Sequence, residues 1–242
     1  MAAGLQVFNN SNTIQIDSLY KNYRLLSHGF VTITYANDDM NPNTAYVEGI
    51  VTVSGAQNPM IALSVNVNIR SWREQLSADT FRFRFSVDGL STIPRPFNAE
   101  YYVYDAPPPT PTNPGFGLQV YNASGQVVYD SGFGYMRVLG VINQSATFPL
   151  IGAGVEQSFV YSGYKVAVVT CQQAIKILNT DVSVGGSGET VPGFEFYSLT
   201  PRVSSGSTVV TLDRLVNSQI GSAVAMVTRP QSYLLVIDVS GI

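Results

Sequence analysis

The chain is organised around the stretch Gly4 to Leu26, GLQVFNNSNTIQIDSLYKNYRLL, because the sequence repeats it at Gly117 to Leu139 as GLQVYNASGQVVYDSGFGYMRVL. A constant shift of 113 positions (117 − 4) aligns the two stretches without a gap and makes 10 of the 23 positions identical. Chance would give about one or two identities over this length. The chain therefore contains a duplicated module.

Each copy of the repeated stretch begins with a predicted β-hairpin. Alternating apolar and polar residues flank a polar turn, residues 9–12 in the first copy and residues 122–125 in the second. Alternation with a period of two around an Asn, Ser or Gly turn is typical of antiparallel strands joined by a tight turn. The two turns differ in sequence, but they predict the same local geometry.

Both copies continue with an aspartate and a serine, and an arginine stands seven positions after the aspartate. These residues are Asp17 and Arg24 in the first copy and Asp130 and Arg137 in the second. An acid and a base retained at one spacing indicate either a functional site or a structural role, as an ion pair or as a carboxylate that caps a turn. We predict the structural role.

The rest of the chain has the pattern of short strands separated by turn signals, without a helical period. The clearest strand is FRFRF at residues 81–85, whose alternation places the phenylalanines in the core and the arginines in solvent. We predict an all-β fold of two tandem antiparallel β-sandwich modules, similar to immunoglobulin or fibronectin type III domains and derived from the duplication. A helical turn is predicted only at residues 71–78, SWREQLSA. One continuous strand is predicted over residues 164–178.

A proline-rich segment marks the predicted domain boundary. Residues 106–115, APPPTPTNPG, contain five prolines, which favour an extended, semi-rigid spacer. The predicted domains are therefore an N-terminal sandwich at 1–105, a linker at 106–116 and a C-terminal sandwich at 117–242.

The second module is predicted to contain an insertion. Its last strand, YLLVIDV, resembles EYYVYDA of the first module, so that Asp238 corresponds to Asp105 at a shift of 133 (238 − 105). The shift exceeds 113 by 20 positions (133 − 113), and the glycine-rich residues 180–193 are the candidate insertion, as a long hairpin tip or loop. Gly186 and Ser187 in this stretch are candidates for a surface contact.

Composition and charge exclude several function classes. The formal net charge of −3 and the scattered Lys and Arg residues provide no basic surface for nucleic acid. No window has the roughly 18 apolar residues of a membrane span, and the N-terminus lacks the pattern of a signal peptide, so we expect a cytosolic product without membrane insertion.

Few residues are candidates for chemistry. The single cysteine, Cys171, lies in an apolar run and is predicted to be a buried thiol rather than a nucleophile. His28 has no motif of a catalytic triad around it, and Asn37-Asp38-Asp39 is interpreted as a solvated turn rather than a calcium loop. We predict no catalytic residue, no metal and no cofactor.

Three aromatic residues are candidates for a surface contact. Trp72 is the sole tryptophan, and it is either an exposed ligand platform or the edge of a core; the core is the preferred interpretation. Phe133 and Tyr135 follow Asp130 in the second copy of the repeat. Such aromatic residues would stack on a ligand if they were exposed.

The pattern GLQV(F/Y)N, turn, (I/Y)DS, Arg-x-Leu, with YYVYD before the second GLQVYN, resembles small proteins encoded in the tail regions of tailed bacteriophages and prophages. The resemblance covers both hairpins and the strands before the linker, about a third of the chain. It implies a non-enzymatic structural component of the virion tail, at the tip or in a fibre, that assembles with other tail proteins. By analogy it implies a homotrimer, made in the bacterial cytoplasm, with a possible contact to a glycan or protein of the host surface.

Two alternatives remain open. A carbohydrate-binding or adhesin module without a phage context would use aromatic loop residues to bind sugars. A depolymerase of surface polysaccharide is the less favoured alternative, since the paired carboxylates of a glycosidase leave no local motif.

Overall fold

The computed structural model describes residues 6–8, 14–17, 22–36, 46–87, 96–106, 117–145, 154–172, 175–184, 189–204, 208–220, 227–229 and 231–242. These residues form eighteen strands and no helix, and the paired strands run antiparallel. The predicted all-β class is confirmed.

The first half of the chain contributes eight strands. They are β1 Gln6–Phe8, β2 Ile14–Asp17, β3 Arg24–Ala36, β4 Tyr46–Val53, β5 Met60–Ser64, β6 Ile69–Gln75, β7 Phe81–Val87 and β8 Phe97–Asp105. The second half contributes ten. They are β9 Gln119–Tyr121, β10 Val127–Asp130, β11 Arg137–Ser145, β12 Gly154–Val160, β13 Val166–Gln172, β14 Ile175–Val184, β15 Glu189–Val203, β16 Val209–Ile220, β17 Val227–Arg229 and β18 Gln231–Asp238.

The largest sheet contains strands from both halves of the chain. Its nine strands follow the order β11-β18-β13-β5-β8-β3-β4-β7-β6, and a second sheet has the order β12-β16-β15-β14-β17. The halves meet where β5 pairs with β13, through Ala62 with Val169 and Leu63 with Val168. The two predicted modules thus share a sheet. Most of the predicted linker, residues 107–116, lies outside the described residues.

Both predicted hairpins form two-stranded sheets, β1 with β2 and β9 with β10. In the second hairpin the side-chain oxygen of Asn122 accepts hydrogen bonds from the backbone N–H groups of Ser124 (3.0 Å) and Gln126 (2.9 Å). Gly125 has a φ of 74°, which a residue without a Cβ adopts readily. The turn of the first hairpin lies outside the described residues.

The two copies of the repeated stretch lead into strands with the same register. Arg24 at the start of β3 pairs with Asp105 at the end of β8. Arg137 at the start of β11 pairs with Asp238 at the end of β18. The sequence duplication is therefore also a duplication of strand pairing.

A β-bulge follows at the same place in β3 and β11. The register shifts between Leu25 and Ser27 and between Val138 and Gly140. Because a bulge adds one residue to its strand, neighbouring residues of each strand can face different cores. Leu25 and Val138 accordingly pack together in a shared core, whereas Leu26 packs in the core of the first half.

The duplicated registers define a pseudo-two-fold axis through the shared sheet. Met60 pairs with Tyr104, and Ala167 pairs with Ile237. Tyr104 and Ile237 are counterparts, because they are also separated by 133 positions (237 − 104). Met60 therefore corresponds to Ala167, at a shift of 107 (167 − 60).

At the same shift Ala62 corresponds to Val169 (62 + 107), and these two residues pair with each other. A second pair on the axis is Tyr23 and Met136, which are counterparts in the repeated stretch (23 + 113), and the Met136 N–H donates to the Tyr23 carbonyl at 2.8 Å. The two halves therefore face each other as the subunits of a symmetric dimer do.

Three apolar cores hold this arrangement together. The core of the first half contains the three phenylalanines of FRFRF, which confirms their predicted burial, and the core of the second half lies between the two larger sheets. The shared core is formed by residues of both halves on the opposite face of the nine-stranded sheet. Its buried members are Ala62, Tyr102, Tyr104, Met136, Ala167, Val169, Ile237 and Val239.

The predicted helical turn at residues 71–78 is wrong. Residues 71–75 belong to β6, where Trp72 pairs with Arg84 and Arg73 pairs with Phe83. The FRFRF strand leaves an open edge of backbone N–H and C=O groups, and pairing with β6 satisfies them. Residues 164–178, predicted as one strand, contain parts of β13 and β14, which belong to different sheets, so that prediction is also wrong.

The predicted insertion at residues 180–193 is mostly strand. The hairpin of β14 and β15 is paired from Ile175 with Ser198 to Val184 with Glu189. Residues 185–188, which include the candidates Gly186 and Ser187, lie outside the described residues.

Candidate functional site: a groove where the two halves meet

In the second half, the repeated aspartate and arginine, Asp130 and Arg137, bind different partners. The Asp130 carboxylate accepts hydrogen bonds from the Gly132 N–H (2.8 Å) and from the Gln119 amide (2.9 Å). Arg137 forms an ion pair with the buried Asp238 carboxylate at 3.0 Å. Asp17 ends β2 opposite Gln6, and its side chain lies outside the described residues.

The two copies of the repeat meet at Arg24. Its guanidinium carbon lies 4.8 Å from the ring centre of Phe133, and its backbone forms an isolated bridge with Tyr135. The Tyr135 hydroxyl accepts a hydrogen bond from the Asp130 N–H at 2.8 Å, and burial raises the pKa of this tyrosine. Phe133 and Tyr135, predicted as candidate surface contacts, thus contribute to the junction between the halves.

A groove of about 350 Å³ opens beside the junction of β5 and β13. Ala62 pairs with Val169 and Leu63 pairs with Val168, but the next residues along the two strands, Ile61 and Thr170, are not paired with each other. A register irregularity between Thr170 and Gln172 diverts β13 at this point. The groove is lined by residues of β5, β6, β7 and β13 and of the loop before β5: Asn58, Pro59, Met60, Ile61, Ser71, Trp72, Arg73, Phe83, Val169, Thr170 and Cys171.

One wall of the groove is held by a buried carboxylate. Asp105 is fully buried and accepts hydrogen bonds from the backbone N–H groups of Gln57 (2.7 Å) and Asn58 (2.9 Å). Arg73 in turn donates from Nη1 to the Asn58 side-chain oxygen (2.6 Å) and to the Pro59 carbonyl (3.0 Å). Its guanidinium carbon lies 5.3 Å from the ring centre of Phe81. Arg73 therefore has a fixed position in the groove.

Trp72 is 41% exposed and contributes to the rim of the groove, but it pairs with Arg84, so its indole lies on the outer face of β6, opposite the face of Arg73 and Phe83. The guanidinium carbon of Arg84 lies over its ring, 5.6 Å from the centre. Arg84 is also within 3.4 Å of Glu74, which neutralises part of its charge. Trp72 is therefore partly exposed on the outer face of the sheet, with Arg84 over its ring.

Cys171 is exposed at the other side of the groove, so the predicted buried thiol is wrong. The residue lies beyond the last pair of β13 with β5, in the irregular part of β13, where the apolar run no longer faces a core. Partial removal of water by the groove raises the pKa of the thiol. A thiol that stays protonated at neutral pH is a weak nucleophile.

The position related to the groove by the pseudo-two-fold axis is closed. Ile61 and Thr170 correspond there to Val168 and Leu63 (61 + 107 and 170 − 107), and the space that remains is about 10 Å³. Strand β15 fills it, and the Val203 N–H donates to the Val65 carbonyl at 2.7 Å.

A polar cluster fastens β15 in this place. Arg202 forms an ion pair with Asp213 at 2.5 Å and donates to the Asn66 side chain of the first half at 3.1 Å. Asn68 of the first half donates to the same carboxylate at 2.9 Å. The two related positions therefore differ: one is an open groove and the other is part of the contact between the halves.

The sequence pattern does not indicate Asn58, Arg73 or Thr170 as site residues. They become neighbours because β6 closes over a junction of strands that are about a hundred positions apart (170 − 71 = 99). No local motif reports such a contact. The adjacent Trp72 is the part of the groove that composition alone could indicate.

Within the described residues, no three His, Cys, Asp or Glu side chains are grouped closely enough to hold a metal ion. His28 is exposed and stacks on Tyr102 with a distance of 6.3 Å between ring centres. The candidate turn Asn37-Asp38-Asp39 lies outside the described residues. The described part of the chain contains no helix that is long and apolar enough to span a membrane.

Comparisons with protein-family models, with curated proteins and with solved structures find no match to this chain.

Proposed function

We propose that this chain is a structural, non-enzymatic component of a bacteriophage tail, located at the tail tip or in a tail fibre. The observation that carries the proposal is the repeated motif by which the chain resembles tail-region proteins. In both halves this motif leads into a strand that begins with an arginine paired to an aspartate and continues through a bulge. The motif is therefore the frame of the molecule rather than a catalytic segment.

The finer architecture is part of the same proposal. Each half is a β-sandwich module of the immunoglobulin or fibronectin type III kind, and the two modules descend from one duplicated unit. The separate apolar cores of the halves support this interpretation. The proline-rich segment 106–116 is the connection between them.

Exposed sheet edges support a role in assembly. β11 is a terminal strand of the nine-stranded sheet, and its Val141 is 61% exposed. Terminal strands present unpaired backbone groups that pair readily with another chain. We propose contacts with other tail proteins and a homotrimer, in a virion whose proteins are made in the bacterial cytoplasm.

The direct test is the protein content of the purified particle. Quantitative mass spectrometry of the phage whose genome encodes this chain is expected to find it in fixed stoichiometry, and immunogold labelling is expected to place it at the tail end. Multi-angle light scattering of the purified chain measures the trimer. Particles that infect normally and contain none of this chain would exclude the proposal.

A second candidate function is binding of a host-surface glycan, within the tail or as an adhesin. The observation that favours it is the open groove at the junction of the halves, in which hydrogen bonds fix the position of Arg73. A glycan array probed with the full chain tests this function. Release of reducing ends from host polysaccharide would instead indicate a depolymerase.

A further inference from the structure

We propose that the outer side of the strands β4, β7 and β6 is the docking surface for another protein of the assembly, one that presents carboxylates around an apolar contact. We call this surface the arginine face. It consists of residues 48, 50 and 52 of β4, residues 82, 84 and 86 of β7 and residues 70, 72 and 74 of β6. The inference rests on the tail-assembly role proposed above and gives that role a surface and a kind of partner.

The strand register places these residues on one side of the sheet. Arg84 pairs with Trp72 of β6 and with Ile50 of β4, so the three form a row across the strands. Arg82 stands two positions before Arg84 and pairs with Glu74 in the next row. Cross-strand partners and residues two positions apart project from the same face of a sheet, so these side chains are neighbours. The phenylalanines that alternate with the two arginines are buried in the core on the other side.

The central row of the arginine face combines exposed apolar surface with a positioned charge. Ile50 is 48% exposed and Trp72 is 41% exposed, although both are large hydrophobic residues. The guanidinium carbon of Arg84 lies 5.6 Å from the ring centre of Trp72, within the distance of a cation–π contact. This contact restricts both side chains before a partner binds, and side chains that are ordered in advance lose less conformational entropy on binding.

The charge of the arginine face has the opposite sign to that of the whole chain. By register the face contains Arg70, Arg82, Arg84, Glu48 and Glu74, which gives a formal charge of +1 (3 − 2), whereas the chain has −3. Arg82 and Arg84 share the Glu74 carboxylate at 3.6 and 3.4 Å, longer than the about 2.7–2.9 Å of a charge-assisted hydrogen bond. One carboxylate at these distances does not neutralise two guanidinium groups, so the face favours a partner that supplies carboxylates.

Composition and shape favour a protein as the partner. Tryptophan and arginine are enriched among the residues that carry the binding energy of protein interfaces, and lysine is depleted there; none of the nine residues of the arginine face is a lysine. Sites for small molecules are concave, whereas this surface is the open side of a sheet. A face-to-face contact between two copies of the chain would place arginines opposite arginines, which is unfavourable. The partner is therefore a different protein with an acidic contact surface.

Photochemical crosslinking in assembled particles tests the inference. The phage that encodes this chain is grown without its own copy of the gene, in cells that supply the full chain with a benzoylphenylalanine in place of Thr52 or, in a second preparation, of Ser54. Both are exposed residues at the margin of the arginine face. Illumination of the purified particles is expected to link both positions to one other particle protein, at a segment rich in Asp and Glu. Benzoylphenylalanine in place of Tyr121, which is exposed on β9, is the control and should not react with that segment.

Variants of the crosslinking chain separate the charge from the apolar contact. Arg84→Gln and Trp72→Ala are each expected to lower the crosslink yield at least about fivefold. Arg84→Glu is expected to abolish the crosslink, and replacement of a carboxylate in the partner's crosslinked segment by arginine is expected to restore it, because the pair is then rebuilt with its charges exchanged. Gln75→Glu is the matched control, since Gln75 pairs with Phe81 and lies off the arginine face, and it should leave the yield unchanged. Thermal unfolding of each purified variant confirms that it is folded.

Three results would overturn the inference: a crosslink yield that Arg84→Gln and Arg84→Glu both leave unchanged, crosslinks only to a second copy of the chain or to a polysaccharide, or no crosslink from either position. Quantitative mass spectrometry of the same particles separates this failure from failure of the tail role. If the particles contain the chain in fixed stoichiometry and residues 52 and 54 do not react with another protein, the docking surface is wrong and the tail role stands. If the particles contain none of the chain, the tail role is wrong and the docking surface is lost with it.

Discussion

At the scale of single residues, Tyr104 is a buried side chain whose hydroxyl has no hydrogen-bond partner among the described residues. A buried hydroxyl without a partner loses its hydration and gains nothing in return. We therefore expect Tyr104→Phe to leave the free energy of unfolding unchanged or to raise it by up to about 1 kcal/mol. Urea unfolding measures the change, and a loss above about 1 kcal/mol would show that the hydroxyl has a partner.

The tyrosines of the shared core predict a dependence of stability on alkaline pH. Burial, followed by interactions with neighbouring groups, raises the pKa of Tyr102 and of Tyr104 above the value of about 10 of an unfolded tyrosine. Below pH 10 both states are protonated and the stability is complete. Above about pH 10 the unfolded state releases its protons first, so the free energy of unfolding is expected to fall.

Urea unfolding between pH 8 and pH 11 tests this expectation. Tyr104→Phe removes one of the titrating groups, so its loss of stability over this range should be smaller than that of the unchanged chain. Equal losses in the two proteins would contradict a contribution from Tyr104.

Gly49 predicts a second residue-scale effect. A Cβ added there would lie 2.4 Å from Cδ1 of Ile33 and 3.1 Å from Cγ2 of Val31, both of which are buried. Overpacking of a core costs about 1–3 kcal/mol, more than the roughly 0.4–1 kcal/mol that the lower chain entropy of alanine can return. Gly49→Ala should therefore lower the free energy of unfolding. Thr52→Ala, at an exposed position of the same strand, is the control and should change it by less than about 0.5 kcal/mol.

At the scale of elements, the loop between β4 and β5 depends on the carboxylate of Asp105. Two charge-assisted hydrogen bonds to Gln57 and Asn58 hold the loop, and each such bond contributes about 1.5–3 kcal/mol. Asp105→Ala should lower the free energy of unfolding by at least about 1.5–3 kcal/mol, the contribution of one such bond. It should also make the position of Arg73 less fixed, because Arg73 binds Asn58 and Pro59 of this loop. Amide hydrogen exchange at residues 57 and 58 measures this effect and is expected to be faster in Asp105→Ala than in the control variant Tyr121→Ala. Equal exchange in the two variants would contradict the role of Asp105.

Strand prediction from the sequence succeeded where alternation was strict. FRFRF was predictable because each phenylalanine faces a core and each arginine faces solvent. β6 was not, because its Trp72 is exposed and its Arg73 packs on Phe81, so the apolar and polar positions do not alternate in the usual way. Its strand conformation is set by pairing with β7 rather than by its own pattern.

At the scale of the whole molecule, the contact between the halves predicts that the connection is dispensable once the chain is folded. The halves are joined by the pairing of β5 with β13, by the Lys165–Glu100 ion pair at 2.6 Å and by the shared core. A protease site inserted within residues 107–116 and cleaved after folding should leave two fragments that elute together. Size-exclusion chromatography with native mass spectrometry measures this.

A matched variant tests the shared core in the same experiment. Ala62 is 0% exposed and lies on the pseudo-two-fold axis. Ala62→Arg would bury an unpaired charge there, which is strongly unfavourable. Fragments of this variant should separate, and separation of the unchanged fragments would contradict the interface.

The duplication could be predicted from the sequence, but the contact between the copies could not. Val166 to Val169 are buried on both faces, so their pattern shows a central strand without indicating its neighbour. The partner β5 is 105 positions away (168 − 63), and periodicity carries no information about a pairing over that distance. The groove follows from this pairing, which is why most of its lining residues could not be identified from the sequence.

The closure of one of two related positions has a consequence for valency. In a dimer of identical subunits every site occurs twice, whereas in this chain only one of the two related positions at the junction of the halves is an open groove. If the groove binds a glycan, as in the second proposed function, one chain holds it only as strongly as that groove allows. Strong attachment to a surface then requires several chains side by side, where linked binding events raise the overall affinity by about 10²–10⁴. On this account the number of copies in the assembly, more than the affinity of one groove, sets the strength of attachment.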